Sequence, residues 1–436
     1  MSKFSHITIA GFQTTDIRFP TSSSLDGSDA MNVDPDYSAA YLEISTNLPS
    51  LKGVSLVFTI GRGNDLQVAA IEKLVNKIIG LDLDSVIEEN LTIYKDLGSD
   101  SQYRWLGPEY GIFQMARGAI MNALWDLIAK AHGKPLWLLL SEMEPEEIIE
   151  VIDFSYLDDV LEKDEALNIL NATRDSKLRN IDIAKKSGLP AYTTSPGWLG
   201  YKDSKMMDLT RQAIDDGFRL IKYKCGRKLE DDIRRLTLVR EAFGEDLLIA
   251  VDANQVWSVN QAIEWIKSLK PFNLTWVEEP THPEDSAGHA QIAAAVAPTP
   301  IATGEMASSR ITFKQLMKLG GQSVVQIDAS RVSGVNENLA IILMAKKFGK
   351  PVCPHAGGVG LCEMVQHLAF FDAVAVSGFH NSRYIEFVDH LHEHFVYPVK
   401  IERGNYVAPS EPGMNADMKH ESIEAYSFKS NERVTL

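Results

Sequence analysis

The second half of the chain carries an ionisable residue at the end of each of seven successive apolar runs that are strand candidates, at intervals that fit one strand, one helix and their connections. These residues are Lys224, Asp252, Glu278, Glu305, Asp328, His355 and Glu386. A single acid in such a position is usually a helix cap or a solvated turn residue, but a set of caps would also include Ser, Thr and Asn. Because the carboxyl ends of barrel strands meet at one face, we expect the seven side chains to converge on one site.

Three consecutive runs end in a carboxylate: Asp252, Glu278 and Glu305. Neighbouring strands lie about 4.7–4.9 Å apart, so these groups can meet at one point. Three unpaired carboxylates there would repel one another and raise each other's pKa, a conflict that a divalent cation resolves. Oxygen ligands with room for water and substrate favour Mg²⁺, or Mn²⁺, over zinc. Asn254 is expected to support this metal site from the same side.

A Lys-x-Lys pair, Lys222 and Lys224, precedes the acidic strands. Residues two apart on a strand point to the same face, so both ammonium groups are predicted to enter the site. Two neighbouring cations should lower each other's pKa, which makes Lys224 a candidate general base and leaves Lys222 to bind a carboxylate. A solvated edge strand is the alternative for such a pair on its own.

Asp328 and His355 end two successive apolar runs, and we expect them on the side of the site opposite the lysines. A carboxylate beside an imidazole fixes its tautomer and raises its pKa, which produces a general acid, although a lone core histidine is the alternative. Glu386 could bond an oxyanion if it were protonated. Together the groups indicate abstraction of a proton next to a carboxylate. A metal would stabilise the enediolate, and the acid would act from the opposite face.

Short apolar runs that alternate with amphipathic helical stretches predict the elements that position these groups. An opening run at 191–195 makes eight strand candidates, which is the outline of an α/β fold with a (β/α)8 barrel over residues 191–399. A doubly wound open sheet is the alternative. Residues 1–150 read as a compact α+β unit, with strands at 7–19, 37–46 and 54–60 and helices at 66–79 and 107–133. Residues 151–190 read as a connecting helical segment, and 400–436 as a C-terminal return.

The composition narrows the class of partner. The 436 residues include 59 acidic and 43 basic side chains, a formal net charge of −16, which disfavours nucleic acid and anionic lipid as partners. Three cysteines without a CxxC pair fit a reducing compartment. No apolar run approaches the roughly 18–20 residues of a membrane helix, and the first residues do not resemble a secretory signal. We therefore expect a cytoplasmic protein that acts on a small molecule.

Ordered motifs along nearly the whole chain carry a family resemblance. They are DIRFPT at 16–21, GSDAM at 27–31, DPDYSAAY at 34–41, RWLGPE at 104–109, PAYTTS at 190–195, VDANQ at 251–255, VEEPT at 277–281, PHAGGVG at 354–360 and VDHLHEHF at 388–395. This set resembles the mandelate racemase-like branch of the enolase superfamily and, more narrowly, the L-fuconate dehydratase family, which is close to the fungal L-galactonate dehydratases. Ser308 and Ser309 depart from it, because relatives are expected to carry amide side chains there.

The resemblance implies a Mg²⁺-dependent dehydration of a sugar acid. Lys224 would remove the C2 proton, His355 would protonate the departing 3-hydroxyl, and a 2-keto-3-deoxy acid would form. The resemblance also implies Lys222 and Glu386 as substrate contacts and the three carboxylates as magnesium ligands. L-fuconate is the expected substrate, and L-galactonate or another aldonate is the alternative. A racemase or epimerase and a non-catalytic regulatory homologue are further alternatives.

Three further points follow from the resemblance. In this superfamily the N-terminal domain caps the barrel mouth and contacts the distal end of the substrate, which implies roles for Gly27, Ser28, Asp29 and Tyr37. Family members are often homo-oligomers. The alternating histidines of 389–394 could share a strand face and bind zinc, but the run recurs in the family, and we interpret it as structural.

Overall fold

The computed structural model describes residues 3–107, 109–379 and 383–428. Pro108, which belongs to the predicted helix 107–133 and to the motif at 104–109, lies outside the described residues. So do residues 1–2 and 429–436, which are the outer parts of the predicted N-terminal unit and C-terminal return.

The elements follow the predicted order closely. The strands are β1 (Ile9–Arg18), β2 (Ser38–Thr46), β3 (Lys52–Thr59), β4 (Leu189–Thr193), β5 (Leu220–Lys224), β6 (Leu248–Asp252), β7 (Trp276–Glu278), β8 (Ile301–Thr303), β9 (Val324–Val325), β10 (Ile385–Phe387), β11 (Ile401–Glu402) and β12 (Asn405–Tyr406). The helices are α1 (Asn64–Val75), α2 (Leu83–Glu88), α3 (Asn90–Gly98), α4 (Gly111–Ala131), α5 (Leu136–Glu142), α6 (Pro145–Glu150), α7 (Lys163–Asn171), α8 (Lys177–Ser187), α9 (Asp203–Asp215), α10 (Leu229–Phe243), α11 (Val259–Leu269), α12 (Ser286–Val296), α13 (Arg310–Leu319), α14 (Gly334–Lys347), α15 (Leu361–Phe371) and α16 (His420–Tyr426).

The N-terminal unit is an antiparallel sheet in the order β1-β2-β3, with α1 and α4 against it. Gly53 on β3 allows α4 to approach closely, because a Cβ at this position would lie 2.2 Å from the carbonyl oxygen of Ala123. Two residues further along β3, the hydroxyl of Ser55 donates a hydrogen bond to the carbonyl oxygen of Ala119 at 2.6 Å. The predicted α+β unit is thus confirmed, with a helix that begins a few residues later than expected.

The second half of the molecule is a parallel α/β barrel. Strands β4 to β9 are hydrogen-bonded in chain order, and β10 returns to pair with β4. Helices α9 to α13 lie between these strands, and α14 and α15 complete the alternation before β10. The predicted barrel with an N-terminal capping domain is confirmed.

The strand candidate that ends in His355, residues 350–355, is reduced to an extended segment with a single bridge between Val352 and Val325. Pro351 and Pro354 lack the N–H donors that a regular ladder needs. The segment still fills the gap in the barrel wall. His355 donates its backbone N–H to Ile327 at 2.9 Å, and Pro354 accepts the N–H of Glu386 at 3.1 Å.

The predicted strand ends are right for Lys224, Asp252 and Glu278 and wrong for the other groups. Glu305 and Asp328 follow shorter strands, and Glu386 is the middle residue of β10. Strand β8 stops early because Gly304 has a φ of +141°, and a Cβ there would lie 2.4 Å from the carbonyl oxygen of Gln326.

The C-terminal return contacts both halves of the molecule. Strand β12 pairs antiparallel with β4 of the barrel, and Phe428 donates its backbone N–H to Asp16 of β1 at 2.7 Å. The exact domain boundaries stay predictions. In the described part of the chain, none of the helices combines the length and apolarity needed to cross a bilayer.

Candidate active site

Three carboxylates meet at the mouth of the barrel, as predicted. Asp252, Glu278 and Glu305 each offer one oxygen, and these oxygens lie within 4.8 Å of one another. Asp252 and Glu278 are register partners on β6 and β7, so parallel pairing itself brings them together. Oε2 of Glu305 is buried and has no hydrogen-bond partner, an arrangement that costs free energy unless a ligand satisfies it. A donor set made only of oxygens, with one unpartnered, fits Mg²⁺.

Neighbouring groups orient these carboxylates. The backbone N–H of Asn254 donates to Oδ1 of Asp252 at 2.9 Å, so Asn254 supports the site through its backbone. Its own side-chain oxygen is buried without a partner. Glu278 accepts hydrogen bonds from Gln326 at 2.6 Å and from the indole of Trp276 at 3.1 Å. Burial raises the pKa of Glu278 to about 8, although Lys222 opposes this shift.

Both lysines of the Lys-x-Lys pair point into the site and are nearly inaccessible to solvent. Nζ of Lys224 lies 2.5 Å from Oδ2 of Asp252. Nζ of Lys222 pairs with Glu278, lies 2.9 Å from Glu386, and is 3.5 Å from Asp252. The expectation of a lowered pKa for Lys224 is wrong as a net direction, although Lys222 contributes in the expected sense. Burial and the neighbouring lysine lower the pKa of Lys224, but the attraction of Asp252 outweighs them and the pKa is raised.

Asp328 and His355 form the predicted pair. Nδ1 of His355 lies 2.8 Å from Oδ2 of Asp328, and Nε2 lies 3.6 Å from Oε2 of Glu305. Burial disfavours the imidazolium, but Glu305 and Asp328 outweigh burial and raise the pKa of His355 to about 9. His355 is therefore charged near neutral pH and holds a proton that it can donate.

Glu386 differs from the expectation of a protonated carboxyl group. Burial raises its pKa, but Lys222 and His355 lower it further, so the group stays ionised. It accepts a hydrogen bond from the hydroxyl of Thr194 and another from the backbone N–H of Ala356 at 2.9 Å. Its position places it beside both the lysine pair and the histidine.

Sequence reasoning missed Thr194, Trp276 and Gln326. Trp276 could have been found from its position two residues before Glu278, because such residues share one strand face. Gln326 stands in the same relation to Asp328 along the chain, but its contact is with Glu278 on another strand. No sequence signal points to that contact.

The N-terminal loop reaches the barrel mouth. Ser28 accepts the backbone N–H of Gly200 on its hydroxyl at 2.9 Å, and Arg227 donates to the backbone carbonyl of Asp29 at 2.5 Å. Gly27 has a φ of +81°, and a Cβ there would lie 2.5 Å from the ring of Tyr37. The structure thus brings Gly27, Ser28, Asp29 and Tyr37 together beside β5, which carries the two lysines.

Known proteins are similar to this chain over nearly its whole length. Residues 205–422 match the enolase C-terminal domain-like family, and residues 35–141 match the mandelate racemase / muconate lactonizing enzyme N-terminal domain. The L-galactonate dehydratase of Hypocrea jecorina is 46% identical over 99% of this chain and 96% of its own length. The crystal structure of human mitochondrial enolase superfamily member 1 gives a TM-score of 0.95 at 45% identity, and the match covers 97% of this chain and 96% of that chain.

A more distant structure carries ligands. L-talarate/galactarate dehydratase from Salmonella typhimurium LT2, liganded with Mg and L-lyxarohydroxamate, gives a TM-score of 0.74 at 25% identity over 97% of this chain and 93% of that chain. The family matches cover both halves of the molecule, and the relatives are similar from end to end. The chain belongs to the enolase superfamily.

Proposed function

We propose that the protein is a Mg²⁺-dependent hydro-lyase that dehydrates a sugar acid to a 2-keto-3-deoxy acid. One observation carries the proposal: Lys224 and His355 flank the carboxylate triad from its two sides, through Asp252 and Glu305. Mg²⁺ bound by Asp252, Glu278 and Glu305 would supply positive charge for the oxygens of the enediolate. Proton abstraction beside a carboxylate needs this combination of base, acid and charge.

The residues then have separate tasks. Lys222 binds the substrate carboxylate, and Lys224 removes the C2 proton. Mg²⁺ held by Asp252 would offset the attraction of this carboxylate for the ammonium group of Lys224, so that burial and Lys222 would lower the pKa of Lys224 and favour the neutral amine. His355 gives its Nε2 proton to the 3-hydroxyl, which leaves as water. Loss of the C2 proton and of the hydroxyl yields an enol that tautomerises to the keto acid.

The relatives support an aldonate as substrate. A protein named L-galactonate dehydratase is 46% identical over nearly the whole chain. L-fuconate is the 6-deoxy form of L-galactonate, so the two acids share the carbons at which this chemistry occurs. We place L-galactonate first and L-fuconate second. A cytoplasmic location and a homo-oligomeric state stay predictions.

A panel of aldonates assayed with Mg²⁺ for 2-keto acid formation tests the proposal. We expect keto acid from L-galactonate, from L-fuconate, or from both, and loss of that product in excess chelator. Hydrogen exchange at C2 without keto acid would indicate a racemase or epimerase instead. If chelation and Mg²⁺ add-back changed no reaction on any acid sugar, a non-catalytic homologue would be the better reading.

A further inference from the structure

A row of aromatic side chains lies beside β5, the strand of Lys222 and Lys224, on the side of the N-terminal loop. Nζ of Lys224 lies 5.6 Å from the ring centre of Trp198. The ring centre of Trp198 lies 6.2 Å from that of His390, which lies 5.3 Å from that of Tyr37. Tyr37 in turn contacts Phe58 at 4.9 Å. We call Trp198, His390, Tyr37 and Phe58 the aromatic wall.

The far end of the aromatic wall approaches the proposed acid. A Cβ on Gly358 would lie 2.6 Å from the ring of Phe58, and a Cβ on the adjacent Gly357 would lie 3.1 Å from Nε2 of His355. The wall therefore extends from the base to the acid. A substrate held at its carboxylate by Lys222 would meet this wall with the remainder of its carbon chain.

His390 contributes a ring nitrogen, Nε2, to the aromatic wall. Its Nε2 is buried and has no hydrogen-bond partner. The other histidines of the same run have partners of their own. His392 bonds Glu363 and the carbonyl oxygen of Val388, and His394 bonds the hydroxyl of Ser422. The prediction that the run is structural thus fits His392 and His394, and it leaves His390 without a structural hydrogen bond.

The surroundings of His390 define what it can bind. The charged and titratable groups around it are Asp26, His392 and Glu393, and burial lowers its pKa to about 4 despite the two acids. A neutral imidazole can donate or accept one hydrogen bond, as a hydroxyl can. Asp26 and Glu393, with Asp29 on the same loop as Asp26, disfavour a second carboxylate on the ligand, and Lys205, 3.9 Å from Asp26, offsets one of these three charges.

We propose that His390 is a specificity residue that hydrogen-bonds a hydroxyl on the distal half of a sugar acid, so that the site takes acids with one carboxylate and a neutral hydroxylated end. This inference rests on the proposed function, because it assumes a sugar acid bound at the carboxylate triad. It assigns a ligand to the only nitrogen of the run that is buried and unpartnered within the described residues.

The test compares His390→Phe with the wild type on a six-carbon aldonate and on a four-carbon aldonate of the same configuration at C2 and C3. Phe keeps the ring contacts with Trp198 and Tyr37 and removes both nitrogens. Because a buried hydrogen bond to the substrate is lost, kcat/KM for the six-carbon acid should fall about 10- to 100-fold. The value for the four-carbon acid, which lacks carbons 5 and 6 and their hydroxyls, should stay within about twofold.

Two variants separate recognition from packing. His394→Asn lies in the same run and should change neither value. His390→Asn, which loses the ring but keeps a polar atom, should retain more activity on the six-carbon acid than His390→Phe does. The reverse order would assign His390 to packing, and equal losses on both acids, or no loss on either, would overturn the proposal.

The proposed function can fail independently of this inference. If the wild type forms no keto acid, the dissociation constants of the same two acids in the presence of Mg²⁺ replace kcat/KM, measured by titration calorimetry. Weaker binding of only the six-carbon acid in His390→Phe would keep the specificity role. Unchanged binding of that acid, or no binding to the wild type, would reject it.

Discussion

Nδ1 of His355 lies 2.8 Å from Oδ2 of Asp328, and this bond decides which nitrogen of the imidazole faces the substrate. The other carboxylate oxygen, Oδ1, accepts the backbone N–H groups of Ser330 and Arg331 at 2.6 and 2.9 Å. Asp328 is thus fixed at both oxygens, and Nε2 of His355 is the nitrogen directed towards Glu305. The proton for the leaving hydroxyl is therefore held at one defined atom.

Asp328→Asn should separate the two halves of the reaction. The amide oxygen would keep the backbone N–H groups of Ser330 and Arg331, so the NH2 group would face Nδ1 and disfavour the imidazolium. Keto acid formation should fall about 100- to 10,000-fold, the range of general acid–base catalysis. Deuterium exchange at C2, which depends on Lys224, should persist. Asp159→Asn, at an exposed acid, is the control, and loss of exchange in Asp328→Asn would contradict the assignment.

Lys224→Ala should abolish both readouts while the substrate still binds. Without the amine, C2 exchange and keto acid formation should each fall about 100- to 10,000-fold. Lys222, 3.5 Å from Asp252, remains to hold the substrate carboxylate, so the dissociation constant from calorimetry should change little. The exposed Lys228→Ala is the matched control. Residual exchange at the wild-type rate would remove the base role.

The chemistry of this site could largely be predicted from the sequence because its groups follow parallel strands, whose ends must converge. The directions of the pKa shifts could be predicted only in part: the raised pKa of His355 was expected from Asp328, but the raised pKa of Lys224 was not. Lys222 was expected to lower the pKa of Lys224. The net direction depends on the short distance between Lys224 and Asp252, which the spacing of residues in the sequence does not give. Contacts such as Gln326 with Glu278 join different strands at angles that depend on the closed barrel.

Glu305→Gln should weaken Mg²⁺ binding directly. Glu305 carries the unpartnered oxygen of the triad, and the amide removes its negative charge. The affinity for Mg²⁺ alone should fall about 100-fold when it is measured by titration calorimetry. Substituting a residue that only supports a metal ligand costs about 10- to 100-fold, and loss of a ligand itself should reach the upper end of that range. The Mg²⁺-dependent rise in melting temperature should shrink in parallel. Glu284→Gln, at an exposed position, should bind Mg²⁺ like the wild type, and an unchanged affinity in Glu305→Gln would exclude this ligand.

Gly27→Ala and Gly63→Ala form a matched pair for the N-terminal loop. Both glycines have positive φ, +81° and +91°, so both substitutions carry a backbone cost of about 1 kcal/mol. A Cβ at Gly27 meets the ring of Tyr37, whereas one at Gly63 meets nothing within 4 Å. Only Gly27→Ala should raise KM, by about 10- to 100-fold, as expected for a displaced binding group. An equal KM in the two variants would show that the loop does not contact the substrate.

The order of the helices and strands could be predicted from the sequence. The errors were local and concerned where individual strands end. Strand lengths were overestimated where the backbone leaves the ladder, at Gly304 because of its positive φ and near Pro351 because it has no N–H to donate. Hydrophobicity continues through such positions, so an apolar run alone does not show where a strand ends.

The pair of His392 and Glu363 should make stability depend on pH. Nδ1 of His392 lies 2.7 Å from Glu363, and Nε2 lies 2.7 Å from the carbonyl oxygen of Val388, so both nitrogens face acceptors. Burial opposes the charge, but the attraction of Glu363 outweighs it and raises the pKa of His392 to about 9. A raised histidine pKa stabilises the fold fully below the unfolded value of about 6.5, and this contribution is lost as pH rises through the folded value.

The free energy of unfolding from urea titrations should therefore fall by at most about 3 kcal/mol between pH 6.5 and 9.5 because of this pair. Glu363→Gln removes the attraction and should make that part of the profile less steep, while the raised pKa of His355 keeps a slope of its own over the same range. His420→Gln is the control, because His420 and its partner Glu424 are both exposed and contribute little. A wild-type slope retained in Glu363→Gln would show that another group carries the pH dependence.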